Sequence, residues 1–204
     1  MEGPIGVGKT TLSRLIARRL GAHTVMEDVQ NPFLEDFYSG KKGSAFQCQL
    51  FFLLNRYQQQ RELGQRSLFD SKVVTDYIPP KDKIFAHLTL DDSELIIYQK
   101  LYSLLMENLP RPEVVIYLQA NTQTLKKRIR SRNRQYEKQI ADRYIDELAK
   151  AYNYFFFHYH DTPLLIVNTN EVDFERNASE LDHLLTQLNR LESGVLLYAP
   201  LGSS

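Results

Sequence analysis

Apolar positions along this chain follow two alternating rhythms. Short, nearly continuous apolar runs lie at Thr24-Val25-Met26, Lys72-Val73-Val74-Thr75, Val114-Val115-Ile116-Tyr117-Leu118 and Leu164-Leu165-Ile166-Val167. Runs with so little polar alternation suit parallel strands covered on both faces. The longer stretches between them predict helices near Lys9–Leu20, Ser44–Leu63, Ser93–Asn108, Thr122–Arg132, Lys138–His160 and Phe174–Glu192. In the first of these, Thr11, Leu12, Leu15, Ile16 and Leu20 form the buried stripe. The β-α alternation predicts an α/β fold built on a doubly wound parallel sheet. The 204 residues suit one domain, 1–192, and a loosely ordered tail, 193–204, where Gly194, Pro200 and Gly202-Ser203-Ser204 break any pattern.

The first predicted helix is preceded by Gly3-Pro4-Ile5-Gly6-Val7-Gly8-Lys9-Thr10, which fits the phosphate-binding pattern G-x-x-x-x-G-K-[ST]. Glycines let backbone N–H groups converge on one anion, and the following helix adds its positive end. Lys9 is placed to reach β- and γ-phosphates, and the Thr10 hydroxyl to ligate Mg²⁺. A glycine-rich turn before a helix does not by itself account for all the fixed positions. The motif begins so close to Met1 that a feeding strand has no room, so the first central strand of the sheet is expected to be missing and Met1 is read as other than the natural start. Filling that gap with Val195-Leu196-Leu197-Tyr198 requires an unusual reconnection.

In doubly wound sheets ligands bind beyond the carboxyl ends of the strands. Glu27 follows the first apolar run and Asp76 the second. A carboxylate at Glu27 is placed to take the proton of a hydroxyl attacking the γ-phosphate, and Asp76 to hold Mg²⁺ as a Walker-B-like acid. Turn caps are the ordinary alternative at both positions. Lys126, Lys127, Arg128, Arg130, Arg132 and Arg134 crowd one segment. Such a run is usually a solvated helix face, but Arg128 and Arg132 share a face and Arg134 follows in a loop, as in a lid that closes over phosphates.

Composition limits the partners. Equal counts of 25 basic and 25 acidic residues leave no global field to draw in nucleic acid or an anionic membrane. No run reaches the roughly 18 apolar residues that span a bilayer, and no secretory signal opens the chain. Cys48, the single cysteine, excludes an internal disulfide. The expectation is a cytoplasmic protein with a small-molecule substrate, no nucleic acid and no membrane.

From Glu2 to about Leu191 the chain resembles the deoxyribonucleoside kinases, most of all the bacterial deoxyadenosine/deoxyguanosine kinase branch. The resemblance rests on ordered motifs: Glu2 through Thr11; Glu27-Asp28-Val29-Gln30-Asn31-Pro32-Phe33-Leu34-Glu35-Asp36-Phe37-Tyr38; Phe46-Gln47-Cys48-Gln49 with Asn55-Arg56-Tyr57; Asp76-Tyr77 with Ile84-Phe85-Ala86; and the arginine segment. It implies ATP- and Mg²⁺-dependent phosphorylation of a deoxynucleoside 5′-hydroxyl in nucleotide salvage, by a homodimer packed through helices. It implies Glu27 as the base, Tyr38 and Glu137 on the sugar 3′-hydroxyl, Gln49 on the base edge, Arg56 in support and Phe85 stacked on the base. Arg128, Arg132 and Arg134 become lid arginines, and Asp173-Phe174 the loop around the adenine of ATP.

The chain also departs from the family pattern. Many members carry an arginine where Tyr77 stands, beside the reacting hydroxyl; Lys81, Lys83 or a lid arginine is left to substitute. Asp82 is the candidate acid to pair with Arg56 and favour purines. Two other readings stay open at this point: a nucleoside monophosphate kinase of thymidylate type, which needs an acceptor-side arginine not evident between Glu27 and Tyr38, and a catalytically weak nucleotide-binding fragment of a larger chain.

Overall fold

The computed structural model describes residues 1–66, 72–106 and 109–200. In chain order the elements are α1 (Lys9–Leu20), β1 (His23–Val25), α2 (Leu34–Tyr38), α3 (Ser44–Arg66), β2 (Val73–Thr75), α4 (Lys81–Thr89), α5 (Asp92–Met106), β3 (Val115–Gln119), α6 (Thr122–Arg132), α7 (Asp142–Phe157), β4 (Leu164–Asn168), α8 (Ala178–Arg190) and β5 (Val195–Tyr198). All strand pairs are parallel: β1 with β2, β3 with β4, and β4 with β5. The fold is the expected α/β arrangement.

Residues 1 and 2 stand between the two groups of strands. The Met1 amine donates to Thr75 O at 2.7 Å on one side. On the other, Glu2 N donates to Ile116 O at 2.7 Å, and Leu118 N donates to Glu2 O at 2.8 Å, giving a parallel bridge from Glu2 to Tyr117. The place expected to be empty is therefore held by two buried residues, Met1 and Glu2. They bring the end of β2 beside β3 and feed straight into the phosphate loop.

The strands divide their side chains between two cores. Along β3, Ile116 and Leu118 face a cluster with Leu12, Ile16, Leu181 and Leu184 from α1 and α8. Val115 and Tyr117 face the other, with Ile84 of α4 and Leu148, Tyr152 and Phe156 of α7. In β4, Leu165 and Val167 join the first cluster and Leu164 the second. This is the period-two alternation of a strand with both faces covered. A third cluster, Leu53, Ala86 and Tyr98, packs α3, α4 and α5 together.

Several expectations change. Val195–Tyr198, assigned to a loose tail, forms the edge strand β5: Leu196 and Tyr198 pack on the core while Val195 and Leu197 face outward. Tyr198 Oη donates to Glu180 Oε2 at 2.7 Å and ties the strand to α8. Residues 201–204 of that tail lie outside the described residues, as do 107 and 108 at the end of the helix expected near Ser93–Asn108. The helix expected over Lys138–His160 is divided into a 3₁₀ turn, Gln135–Gln139, and α7, because Ile140 and Ala141 are extended. The helix expected from Phe174 starts at Ala178, where Asn177 Oδ1 caps it by accepting from Glu180 N at 3.2 Å.

Candidate active site

The phosphate loop is shaped by glycines with two different tasks. At Gly6, φ is 85°, and a Cβ would stand 2.8 Å from Ile129 Cγ1 and 3.0 Å from Leu125 O, so the loop is wedged against α6. At Gly8, φ is 105° and a Cβ would meet nothing within 4 Å, so the backbone presents its N–H at the mouth of α1 without cover. Lys9 Nζ curls back over this loop, donating to Gly3 O at 2.6 Å and Pro4 O at 3.2 Å. Burial, and then the neighbouring Lys81 charge, lowers its pKa to about 8.

Beyond β1 and β2 the two expected carboxylates meet. The strands pair in register, Val25 opposite Thr75. Asp76 Oδ2 accepts from Thr10 Oγ1 at 2.6 Å, and Asp76 Oδ1 from Glu27 N at 2.6 Å. One acid thus ties the loop's hydroxyl to the backbone of the other acid. Glu27 Oε1 accepts from Arg56 Nε at 3.0 Å, and Oε2 accepts from Lys81 Nζ at 2.6 Å. Burial acts to raise the Glu27 pKa, but Arg56 and then Lys81 outweigh it and hold the carboxyl below the usual carboxylate range. Glu27 is therefore ionised, its two oxygens shared between Arg56 and Lys81.

Arg56 is buried and forms a second ion pair, with the fully buried Asp82. Its guanidinium also lies over the Phe52 ring, 4.7 Å from the centroid. Gln49 is buried beside it in the cleft wall. Phe85 packs edge-on to Tyr152, with centroids 6.1 Å apart, and Tyr38 lies 5.1 Å from the Phe37 ring. The buried Glu137 holds Arg132, whose Nε is 3.1 Å from Oε2, while Arg134 Nη1 is 3.8 Å from Oε1. Asn133, at φ 52°, ends α6 and turns the chain between these arginines. Arg128 bridges loop and sheet: it donates to Val7 O at 3.3 Å and to Thr169 O at 2.6 Å.

A single cleft of about 890 Å³ collects these groups. Its wall includes Ile5, Gly6, Val7, Gly8, Lys9, Thr10, Thr11, Glu27, Tyr38, Gln49, Arg56, Asp76 and Phe85. It also includes Arg128, Arg132, Arg134, Glu137, Asp173 and Phe174. Gly3, Pro4 and Asp82 are outside the lining: Gly3 and Pro4 lie under Lys9, and Asp82 behind Arg56. Asp173 caps the local turn, accepting from Glu175 N at 3.0 Å, and Phe174 packs into the core of the α1 and α8 side.

Two contributors, Tyr144 and Glu2, have no role in the sequence reading, and a third, Lys81, stands there only as one of several substitutes for the missing arginine. Lys81, the first residue of α4, was one cation among several; only the start of that helix, after Pro80, singles it out. Tyr144 lines the cleft with its hydroxyl buried. Glu2 is fully buried, accepting from Ile78 N at 2.7 Å and Gly3 N at 3.1 Å, and so couples the loop before α4 to the phosphate loop. Its identity within the loop motif was the available signal.

Residues 1–192 match the family model described as deoxynucleoside kinase. The chain is similar to a deoxyguanosine kinase of Bacillus subtilis (strain 168), with 34% identity over 197 residues, covering 94% of this chain and 95% of the relative. A deoxyadenosine/deoxycytidine kinase of the same organism is 29% identical over 199 residues, covering 92% and 89%. Among solved structures, a deoxyadenosine kinase from M. mycoides with the products dCMP and a flexible dCDP bound superposes with a TM-score of 0.77 at 28% identity, covering 93% of this chain and 97% of the other.

Proposed function

We propose that this chain, which belongs to the deoxynucleoside kinase family and phosphorylates deoxynucleosides, does so by moving the γ-phosphoryl of ATP to the 5′-hydroxyl of a purine deoxynucleoside. The observation that carries the proposal is the position of Glu27: an ionised carboxylate in the cleft, joined through Asp76 to Thr10 of the phosphate loop. A hydroxyl within hydrogen-bond reach of that carboxylate is aligned with the γ-phosphoryl of a triphosphate seated on the loop. Lys9 neutralises β- and γ-oxygens, and Arg132 and Arg134 add charge from α6 and the turn after it.

The Thr10 hydroxyl and the Asp76 carboxylate, 2.6 Å apart, are hard oxygen donors that fit Mg²⁺. When bound, the ion supplies charge neutralisation at the β- and γ-oxygens. On the acceptor side, the buried Glu137 and Tyr38 suit the 3′-hydroxyl, Phe85 the face of the base, and Gln49 with the Arg56–Asp82 pair its edge. The similarity to deoxyguanosine and deoxyadenosine kinases supports the purine preference. A homodimer belongs to the same reading, supported by Leu54 on α3 and Ile96, Ile97 and Leu104 on α5, all large apolar residues left exposed. The reading sets the reaction in cytoplasmic nucleotide salvage. Transfer of radiolabelled phosphate from ATP to the four natural deoxynucleosides, with deoxynucleoside monophosphates run in parallel, tests it. The expected result is fastest labelling of deoxyguanosine or deoxyadenosine; faster labelling of a monophosphate would overturn it.

A further inference from the structure

Lys81 is a lysine almost without solvent. Its side chain is 3% exposed, yet it lies in the wall of the cleft. Among the described residues its ammonium has one hydrogen-bond acceptor, Glu27 Oε2 at 2.6 Å. An ammonium carries three donors, so two N–H bonds of a buried charge point elsewhere. The Tyr77 ring, with its centroid 5.8 Å away, cannot take a hydrogen bond of ordinary strength at that distance.

Several of the other cations are committed. Arg56 is divided between Glu27, Asp82 and the Phe52 face. Lys83 lies over the Tyr102 ring, 4.7 Å from its centroid and outside the cleft lining. Arg128 is engaged by Val7 and Thr169, and Arg132 by Glu137. Lys9 and Lys81 both line the same cleft, Lys9 over the phosphate loop and Lys81 on Glu27. Two ammonium groups so placed define a region between them that favours an anion.

We propose that Lys81 is a catalytic residue, donating a hydrogen bond to the γ-phosphoryl group as it passes to the acceptor oxygen. The proposal rests on Glu27 being the base. A hydroxyl on Glu27 Oε2 lies within about 3.2 Å of it, which puts the Lys81 ammonium within about 6 Å of the reacting oxygen. In the step, the bond from the acceptor oxygen to the γ-phosphorus forms and the bond to the β–γ bridging oxygen breaks. The bond's electron pair leaves with the diphosphate, and the hydroxyl proton goes to Glu27. Lys81 keeps its own protons throughout. Its charge stabilises the equatorial oxygens, where the negative charge lies.

A steady-state and single-turnover comparison of four proteins tests this: the parent chain, Lys81→Met, Glu27→Gln and the double variant, with ATP, Mg²⁺ and deoxyguanosine. Expected for Lys81→Met is a fall in kcat of about 10²–10³, with the nucleoside KM within about threefold, and at least a tenfold further fall when the change is made in the Glu27→Gln background. Lys81→Arg should recover part of the loss. A kcat for Lys81→Met within threefold of the parent overturns the proposal. So does an effect that vanishes once Glu27 is already Gln, since that makes Lys81 a positioning residue acting only through the base. If Lys81→Met does not fold, Lys81→Ala with added methylammonium decides: a saturable rise in kcat supports the proposal and none overturns it. Failure of the base reading shows separately, as near-parental turnover in Glu27→Gln.

Discussion

Glu27→Gln is the substitution on which the site can be judged most sharply, because charge changes while shape does not. The carboxylate is the shared acceptor of Arg56 and Lys81, and its side chain is 14% exposed. An amide keeps one oxygen for one of the cations and turns N–H toward the other. Loss of a general base lowers kcat by about 10²–10⁴, or roughly 3–5 kcal/mol of transition-state stabilisation. Breaking a buried ion pair costs about 3 kcal/mol at its low end, which lowers Tm by roughly 6–12 °C in a chain of this size. Nucleoside binding should survive, since the base and sugar contacts lie elsewhere in the cleft. Because the folded pKa of Glu27 is depressed, its stabilising contribution is complete above the unfolded value of about 4.3 and is lost as pH falls through the folded value. The Tm gap between parent and variant should therefore be constant from pH 6 to 8 and narrow below about pH 4. Calorimetry gives the gap, titration the affinity, and single-turnover transfer the chemistry. A folded variant with kcat within threefold of the parent would refute the assignment of Glu27.

Other consequences are independent of that one. With Lys9 lowered to about 8, raising pH from 7 to 9 removes its proton in the free protein, so affinity for a non-hydrolysable ATP analogue should fall about tenfold; unchanged affinity at pH 9 would contradict the role. Gly6→Ala puts a Cβ 2.8 Å from Ile129 and 3.0 Å from Leu125 O at a left-handed φ. It should lower Tm by several degrees and weaken triphosphate binding at least tenfold while sparing the nucleoside, as paired titrations would reveal. The Cys48 thiol is buried, accepts from Asn31 Nδ2 at 3.2 Å and is pushed up to about 12, so a thiol-directed dye at pH 8 should label it in denaturant and not in the native protein.

What the sequence made legible follows from range. Strands β3 and β4 could be placed because both faces are covered and the apolar run is unbroken from Val115 and from Leu164. β5 was not, because as an edge strand it turns only Leu196 and Tyr198 to the core, between Gly194 and Pro200. α2 has five residues, too few for a helical period to show. α4 is short and follows Pro79-Pro80, with Pro80 at its N-cap at φ −59°, a placement that proline favours but that a helical period does not reveal. The place of residues 1 and 2 was illegible for another reason: it rests on hydrogen bonds to Thr75, Ile116 and Leu118, none of which is near in sequence.

The site divides along the same line. Glu27 and Asp76 could be found because parallel strands in register must deliver their next residues to one edge, and Val25 opposite Thr75 does so. On the far wall the pairing of Arg56 with Asp82 was legible, but the contact between Lys81 and Glu27, which spans 54 positions of chain, was not. That contact is set by how quickly the chain returns after β2. Asp76 is fixed by Thr10 and the Glu27 backbone, Ile78 by Glu2, and Lys81 N donates to Ile78 O at 3.2 Å to begin α4. The two prolines stiffen the short span between these anchors, so the first side chain of α4 has nowhere to go but back to the carboxylate at the end of β1. The cation that completes the site is thus set by where α4 begins.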